Sequence, residues 1–279
     1  MGRPMGSIIR VGACAFGASL ITGCLAPAAP PSSSLARPQS APAAPTARAQ
    51  GGSLALVILR QSAPDARSRE AGVDAIFDRS HGAHTCPELA KEQLCVLLEC
   101  PAGLASATVF DAGAVTVTAN EELTVERGDN GQYSAWIPRA TLWSPGQPIT
   151  VKVAGAHDNP PAFATRLSGP GPITVLQPSG NDIVVERNRG LVVTWTKGVG
   201  QEVGLMLEPT PMRPRGVSCH WPMGDGSHFV SPRVLGGLPA GPARLSLSAR
   251  SSSASLSSRG WTFQANARVN VEPIEVTLK

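Results

Sequence analysis

The sequence predicts an all-β protein made of two tandem β-sandwich domains. Three observations carry this expectation. Many short runs alternate apolar and polar residues, which is the period of a strand with one buried and one wet face. Glycine and proline are abundant, 29 and 26 residues, and they punctuate these runs. One pattern of aromatic, proline, glycine and alternating strand occurs twice.

The elements follow in chain order. Arg3 and Arg10 precede an apolar stretch, Val11 to Ile21. That stretch is too short to span a bilayer, which takes about 20 residues, and suits the central part of an export signal. It closes on Ile21-Thr22-Gly23-Cys24, which resembles a bacterial lipobox. The resemblance implies that residues 1–23 are a lipoprotein signal peptide, that Cys24 is the lipidated first residue of the mature chain, and that acyl chains fix it to a membrane. Leu25 stands where inner-membrane lipoproteins commonly carry Asp, so the resemblance implies the outer membrane. Residues 24–52 are rich in Ala, Pro and Ser without apolar periodicity and are expected to form a disordered tether.

Residues 53–172 are assigned to the first sandwich and 173–279 to the second. Leu54 to Leu59 reads as a buried strand. The charged stretch Arg60 to Asp78 suggests a short helix, and Pro87 suits the first turn of another through Leu94. "CVLLEC", Cys95 to Cys100, reads as extended. Alternating strands then recur at "AVTVTA", "ELTVER", "YSAWIP", "ITVKVA", "LVVTWT", "EVGLML", "GVSCHW" and "LSLSAR". The clearest comes last, with Trp261, Phe263, Ala265, Ala267, Val269 and Val271 on one face. Asp129-Asn130-Gly131 signals a hairpin.

The repeat aligns residues 131–155 with 226–250. Pro138-Arg139 matches Pro232-Arg233, Pro145 matches Pro239, and Ile149, Val151 and Val153 match Leu245, Leu247 and Ala249. Such units imply two copies of one domain type. The second copy resembles a fibronectin type III or immunoglobulin-like module. "GLVVTWT" looks like that family's second strand, with Trp195 as its buried tryptophan. Where the family carries a corner tyrosine this chain has Ala243, Arg244 and Leu245. The order of the parts also resembles uncharacterised lipoproteins of high-GC bacteria, which bring no activity with them.

Four cysteines remain after Cys14 and Cys24. Outside the cytoplasm thiols oxidise. Cys86, Cys95 and Cys100 lie close together and Cys219 far away, so one local bridge is expected, with Cys86 joined to Cys95 or Cys100 and Cys219 in the core. His81 and His84 beside these cysteines match no standard zinc spacing, and no metal or other cofactor is predicted. His220 points away from Cys219 on a strand. Asp225, Ser227 and His228 are neighbours in a turn, not a triad. Glu121 and Glu122 read as solvated charge. Trp136 and Trp143 are the candidate ligand contacts. Net charge is +4, and +2 without Arg3 and Arg10 (4 − 2), with the basic residues scattered, which excludes a nucleic-acid face.

The function so indicated is non-catalytic: a lipid-anchored envelope protein that binds or braces another envelope protein or polysaccharide. A glycan-binding surface built on Trp136 and Trp143 is the second reading. An enzyme with dispersed active-site residues is the third.

Overall fold

The computed structural model describes residues 53–64, 66, 70–78, 86–100, 110–129, 131–138, 141–156, 160–211 and 214–279. The signal residues 1–23, Cys24, the tether 24–52 and the histidines His81 and His84 lie outside the described residues. Strands dominate. In order they are β1 (Ser53–Ser62), β2 (Glu70–Asp78), β3 (Glu88–Glu92), β4 (Cys95–Glu99), β5 (Val115–Thr118), β6 (Glu122–Val125), β7 (Tyr133–Pro138), β8 (Pro148–Val153) and β9 (Phe163–Ser168). There follow β10 (Val175–Gln177), β11 (Ile183–Val185), β12 (Leu191–Trp195), β13 (Glu202–Pro209), β14 (Arg215–Pro222) and β15 (Ser227–Val230). A short helix, α1 (Pro232–Leu235), precedes β16 (Gly241–Ser252), β17 (Leu256–Ser258), β18 (Trp261–Asn270) and β19 (Ile274–Leu278).

One long sheet runs β3-β4-β14-β13-β16-β18-β1-β2-β7. Off this path β17 pairs with β18, β19 with β16 and β11 with β19, and two smaller sheets run β6-β5-β8-β9 and β10-β12-β15. The inward residues make two cores. The first joins Ala55, Val57 and Leu59 of β1 and Phe263, Ala265 and Ala267 of β18 to Val117, Ile149 and Val151 of the four-stranded sheet. Phe163 stacks on Phe263 across it, centroids 4.8 Å apart. The second joins Leu205, Leu207, Leu245 and Leu247 of the long sheet to Leu191 and Val193 of the three-stranded sheet. Trp195 stacks on Trp221 at 5.5 Å, and its indole N–H donates to the Met223 carbonyl at 3.2 Å. Trp195 is thus the buried tryptophan that the fibronectin-like resemblance implies. The architecture is an all-β sandwich, with each large buried side chain worth about 1.5–3 kcal/mol of transfer free energy.

A boundary between 172 and 173 does not separate these cores. Strand β18 belongs to the first core, and Cys95 and Leu97 of β4 belong to the second. The described residues all fall in a single compact unit, Ala47–Lys279. The physical reason is pairing. β18 takes β16 on one edge and β1, in parallel, on the other. The backbone ladder therefore continues from one half of the long sheet into the other.

Three local expectations are corrected. The stretch expected to be a helix within 60–78 contains β2, antiparallel to β1 with Val57 opposite Ala75. Its alternation was hidden because Ala71, Val73, Ala75 and Phe77 share a face with small members, and Gly72 and Asp74 stand between them. The segment after Pro87 is the edge strand β3. A helix of that length is marginal in water, whereas β4 offers a ladder, entered through a turn with Gln93 at φ 52°. The turn at 128–132 closes with Gly128 N donating to Gln132 O at 2.8 Å. It does not join paired strands: β6 pairs with β5 and β7 pairs with β2, so it carries the chain between sheets. Strands β9, β10, β11, β15, β17 and β19 lie outside the runs read from the sequence.

Tyr133 shows how a buried polar tip is satisfied. The residue is 1% exposed. Its hydroxyl accepts from Ala112 N at 2.8 Å and donates to Asp111 Oδ1 at 3.0 Å, which also accepts from Gly113 N at 2.9 Å. The backbone N–H of Gly113, then the Tyr133 hydroxyl, hold the Asp111 carboxyl below its usual range. Tyr133→Phe leaves the buried Ala112 N–H unpaired and is expected to cost about 1–3 kcal/mol in denaturant unfolding. The Asp111 contribution has the opposite pH sense to a base. It is complete above the unfolded carboxyl value of about 3.9 and is lost as pH falls through the lower folded value. Asp111→Asn should therefore flatten the acid limb of the stability–pH curve, and an unchanged limb would count against this assignment.

Candidate functional site

Two disulfides form, where one local bridge was expected. Cys86 bonds to Cys100, and Cys95 bonds to Cys219. The second was missed because Cys95 and Cys219 become directly opposed only through the pairing of β4 with β14. Both are buried in the second core. His220, the next residue, emerges on the other face of β14, so the pair points apart as strand geometry requires.

The tryptophans separate. Trp136 is 55% exposed, on the outer face of β7. Trp143 is 0% exposed. Its indole N–H donates to the Pro170 carbonyl at 3.0 Å, and its ring rests where a Cβ on Gly169 would otherwise sit. Gln61 clamps the segment, accepting from Leu142 N at 3.2 Å. A platform of two exposed rings therefore does not form. The residue lacks a surface because the loop before β8 folds into the first core.

Asp225 and His228 do pair, Oδ2 to Nε2 at 2.7 Å, and His228 stacks on Trp221 at 5.3 Å. Ser227 is no part of that pair among the described contacts. Glu122 faces Thr118 at 3.4 Å on an exposed hairpin. Among the described residues no group of three or more His, Cys, Asp and Glu is placed to hold a metal ion.

The site that sequence reasoning missed is on the outer face of the long sheet. Register places Pro222, Glu202, Arg250, Arg268, Arg60, Gly72 and Trp136 side by side across seven strands. Three arginines are thus direct neighbours at strand spacing, about 4.8 Å. Like charges so placed repel, by roughly 0.2–1 kcal/mol per pair. Two of the three have offsets. Arg60 pairs with Asp74 and lies over the Trp136 ring, 5.3 Å from its centroid. Arg250 lies across Gly204, where any Cβ would displace it, and its Nε donates to Ser248 Oγ at 2.9 Å. Beside it His220 Nδ1 is 3.2 Å from Glu202 Oε1. That hydrogen bond holds the Glu202 carboxyl below its ordinary value, so Glu202 is anionic next to Arg250.

Arg268, in the middle, differs. Its Nε, like that of Arg60, is buried without a hydrogen-bond partner, but among the described residues no carboxylate pairs with it, and the charges acting on it are those of Arg60 and Arg250. Burial first, and then these two cations, push it down to about 10. It remains charged at neutral pH. A groove of about 680 Å³ opens beside it, with Ser246, Ser248 and Asn270 in the middle and Glu208 and Glu272 farther along. The only sequence signal for this site was three arginines in three separate alternating runs, which no local pattern connects.

No protein-family model matches the chain, and no curated protein matches it. Solved structures do. The chain is similar to fibronectin(III)-like modules of Clostridium thermocellum CbhA, at 11% identity over 80% of this chain and 92% of that one, TM-score 0.23. It is similar to a tetra-tandem repeat in the extending region of a large adhesion protein, at 15% identity over 79% and 49%, TM-score 0.22. It also matches a 1.5-MDa bacterial ice-binding adhesin structure, at 14% identity over 81% and 66%, TM-score 0.20. The chain spans about half of the second structure's length. These scores are too low to transfer a property to this chain.

The arginine row makes a stability prediction. Arg268→Gln removes two like-charge neighbours and should raise unfolding free energy by about 0.5–1 kcal/mol at low salt. The gain should shrink in about 1 M salt, where charges are screened within about 3 Å. Because the folded value of Arg268 is depressed, its cost persists below pH about 10 and is relieved above it, where the folded state has released a proton the unfolded chain retains. A destabilised Arg268→Gln at both salt concentrations would mean that the guanidinium packs rather than repels.

Proposed function

We propose that this chain is a lipid-anchored cell-envelope protein whose role is binding, with the outer face of the long sheet as its contact surface. The observation that carries the binding role is the groove beside Arg268, an open polar surface lined by a cation that, among the described residues, pairs with no carboxylate. An open groove of that volume falls in the range of ligand sites, about 300–1,000 Å³. The anchoring half rests on residues 1–24: basic leader, apolar run and Ile21-Thr22-Gly23-Cys24. Leu25 supports sorting to the outer membrane. Two disulfides suit an oxidising compartment. Residues 24–52 would hold the folded part clear of the lipid surface, since 29 residues of coil span roughly 30 Å.

The two halves have separate tests. Cells fed a palmitate analogue should label the wild-type protein and not Cys24→Ala; equal labelling of both, or none in either, ends the anchor reading. A photo-reactive side chain replacing Ser246, in the groove, should capture an envelope component on intact cells. The same group replacing Ser257, exposed on β17, should not. Equal capture at the two positions would remove the groove as the contact surface.

A further inference from the structure

We propose that the groove takes an acidic saccharide, with its carboxylate or phosphate group seated on Arg268 between Arg60 and Arg250. The inference rests on the reading of the groove as the binding face and adds the ligand's chemistry. Four features carry it.

The first is charge. Along the row, Glu202 offsets Arg250 and Asp74 offsets Arg60, so the uncompensated charge is centred on Arg268. A guanidinium presents a fork of N–H donors that matches the two oxygens of a carboxylate or phosphate. An oxyanion there turns a repulsive row into an attractive one. The second is polarity along the groove. From the Arg250–Arg268 pair the surface passes to Gly204, Ser248 and Asn270, which are opposed in register, and then to Ser246 beside Met206. Glu208 follows, opposite Arg244. Hydroxyls and amides suit a polyol. The Glu208 carboxylate accepts hydrogen bonds from hydroxyls. An acidic sugar, with hydroxyls beside its charge, fits; a chain of bare anions does not.

The third is the floor. Gly204 has no side chain, and Arg250 folds down onto it. The cation is thereby laid against the sheet, where it lines the groove. The fourth is an aromatic ring at the other end of the row. Glu70 lines both the groove and a 290 Å³ hollow formed with Trp136, Ile137 and Pro138. A saccharide of several units seated on the arginines reaches the part of the exposed Trp136 ring that Arg60, lying over its face, leaves open.

The test uses the purified full-length chain and titration calorimetry with named probes: tetragalacturonate, its fully methyl-esterified form, tetraglutamate and inorganic phosphate. Tetragalacturonate should bind, and the uncharged ester about tenfold or more weakly, as the loss of a charge-assisted pair implies. Arg268→Gln should lose binding by a similar factor while folding at least as stably as the wild type. Gly204→Ala should weaken binding with every charge retained, because it lifts Arg250. Several results would overturn the inference: no binding of tetragalacturonate, equal binding of acid and ester, or unchanged binding by Arg268→Gln. Tetraglutamate binding as tightly would assign the groove to acidic peptides, and phosphate binding as tightly would make it a bare anion site. If Ser246 captures an envelope component on cells while tetragalacturonate fails, the saccharide falls and the binding face stands. If both fail, the binding face falls with it.

Discussion

The structure depends on where β18 is inserted. Its ten residues, Trp261–Asn270, lie between β16 and β1 in the middle of the long sheet. Its inward residues supply five members of the first core. Its antiparallel ladder to β16, from Ser248 opposite Asn270 to Ser252 opposite Asn266, ties that core's sheet to the sheet covering the second. Because side chains alternate, a slip of one residue would put Arg268 inside and Ala267 outside. Register on β18 therefore fixes the first core, the continuity of the long sheet and the arginine row at once. The inward alanines permit this. Ala265 and Ala267 leave room for Phe163 to stack on Phe263, which bulkier neighbours in a close-packed interior would not.

The edges of the long sheet are tied by other means. Strand β4 continues the sheet beyond β14, and the Cys95–Cys219 bond sits where the two strands oppose each other. It closes a loop of sequence separation 124, which contains the whole four-stranded sheet. A cross-link over so long a loop restricts the unfolded chain strongly in the entropic account. The Cys86–Cys100 bond closes a short loop of separation 14 around the β3–β4 hairpin. The exposed edge strand β3, with Glu88, Lys91 and Glu92 along it, carries charge of the kind that blunts edge-to-edge pairing.

What was legible in the sequence was local. Alternation marks β5, β8, β12, β13, β14, β16 and β18, and in β18 it also gives the buried face residue by residue. The two copies of the repeat take different paths: β7 to β8 leaves the long sheet for the four-stranded one, whereas β15 to β16 leaves the three-stranded sheet for the long one. Pairing between distant strands was not legible. Nothing in Ser53–Ser62 announces a parallel partner near the other end of the chain, because parallel ladders are chosen by tertiary packing and not by turn chemistry. The domain boundary, the second disulfide and the arginine row all depend on such pairings. The burial of Trp143 likewise depends on tertiary packing, since the loop before β8 folds inward onto Gly169.

Among the described residues, the arginine row departs from what stability alone would select on the outer face. Most rows of that face mix small polar residues, as in Ser248, Asn270 and Ser62 beside Gly204. Threonine or serine at 268 would continue that pattern, suit a strand and avoid setting three cations abreast. Instead the chain places arginine at all three positions, holds the outer two with Asp74 and Glu202, and among the described residues pairs the inner one with no acid. Local choices that oppose the global fold concentrate at functional sites. Flanking glycines sharpen the point. Gly204 lies under Arg250, and a Cβ on Gly72 would come 3.3 Å from the Trp136 ring, so both ends of the row rest on residues that let long side chains lie flat. A row built only to be soluble would need neither the flattened guanidinium nor the uncompensated one.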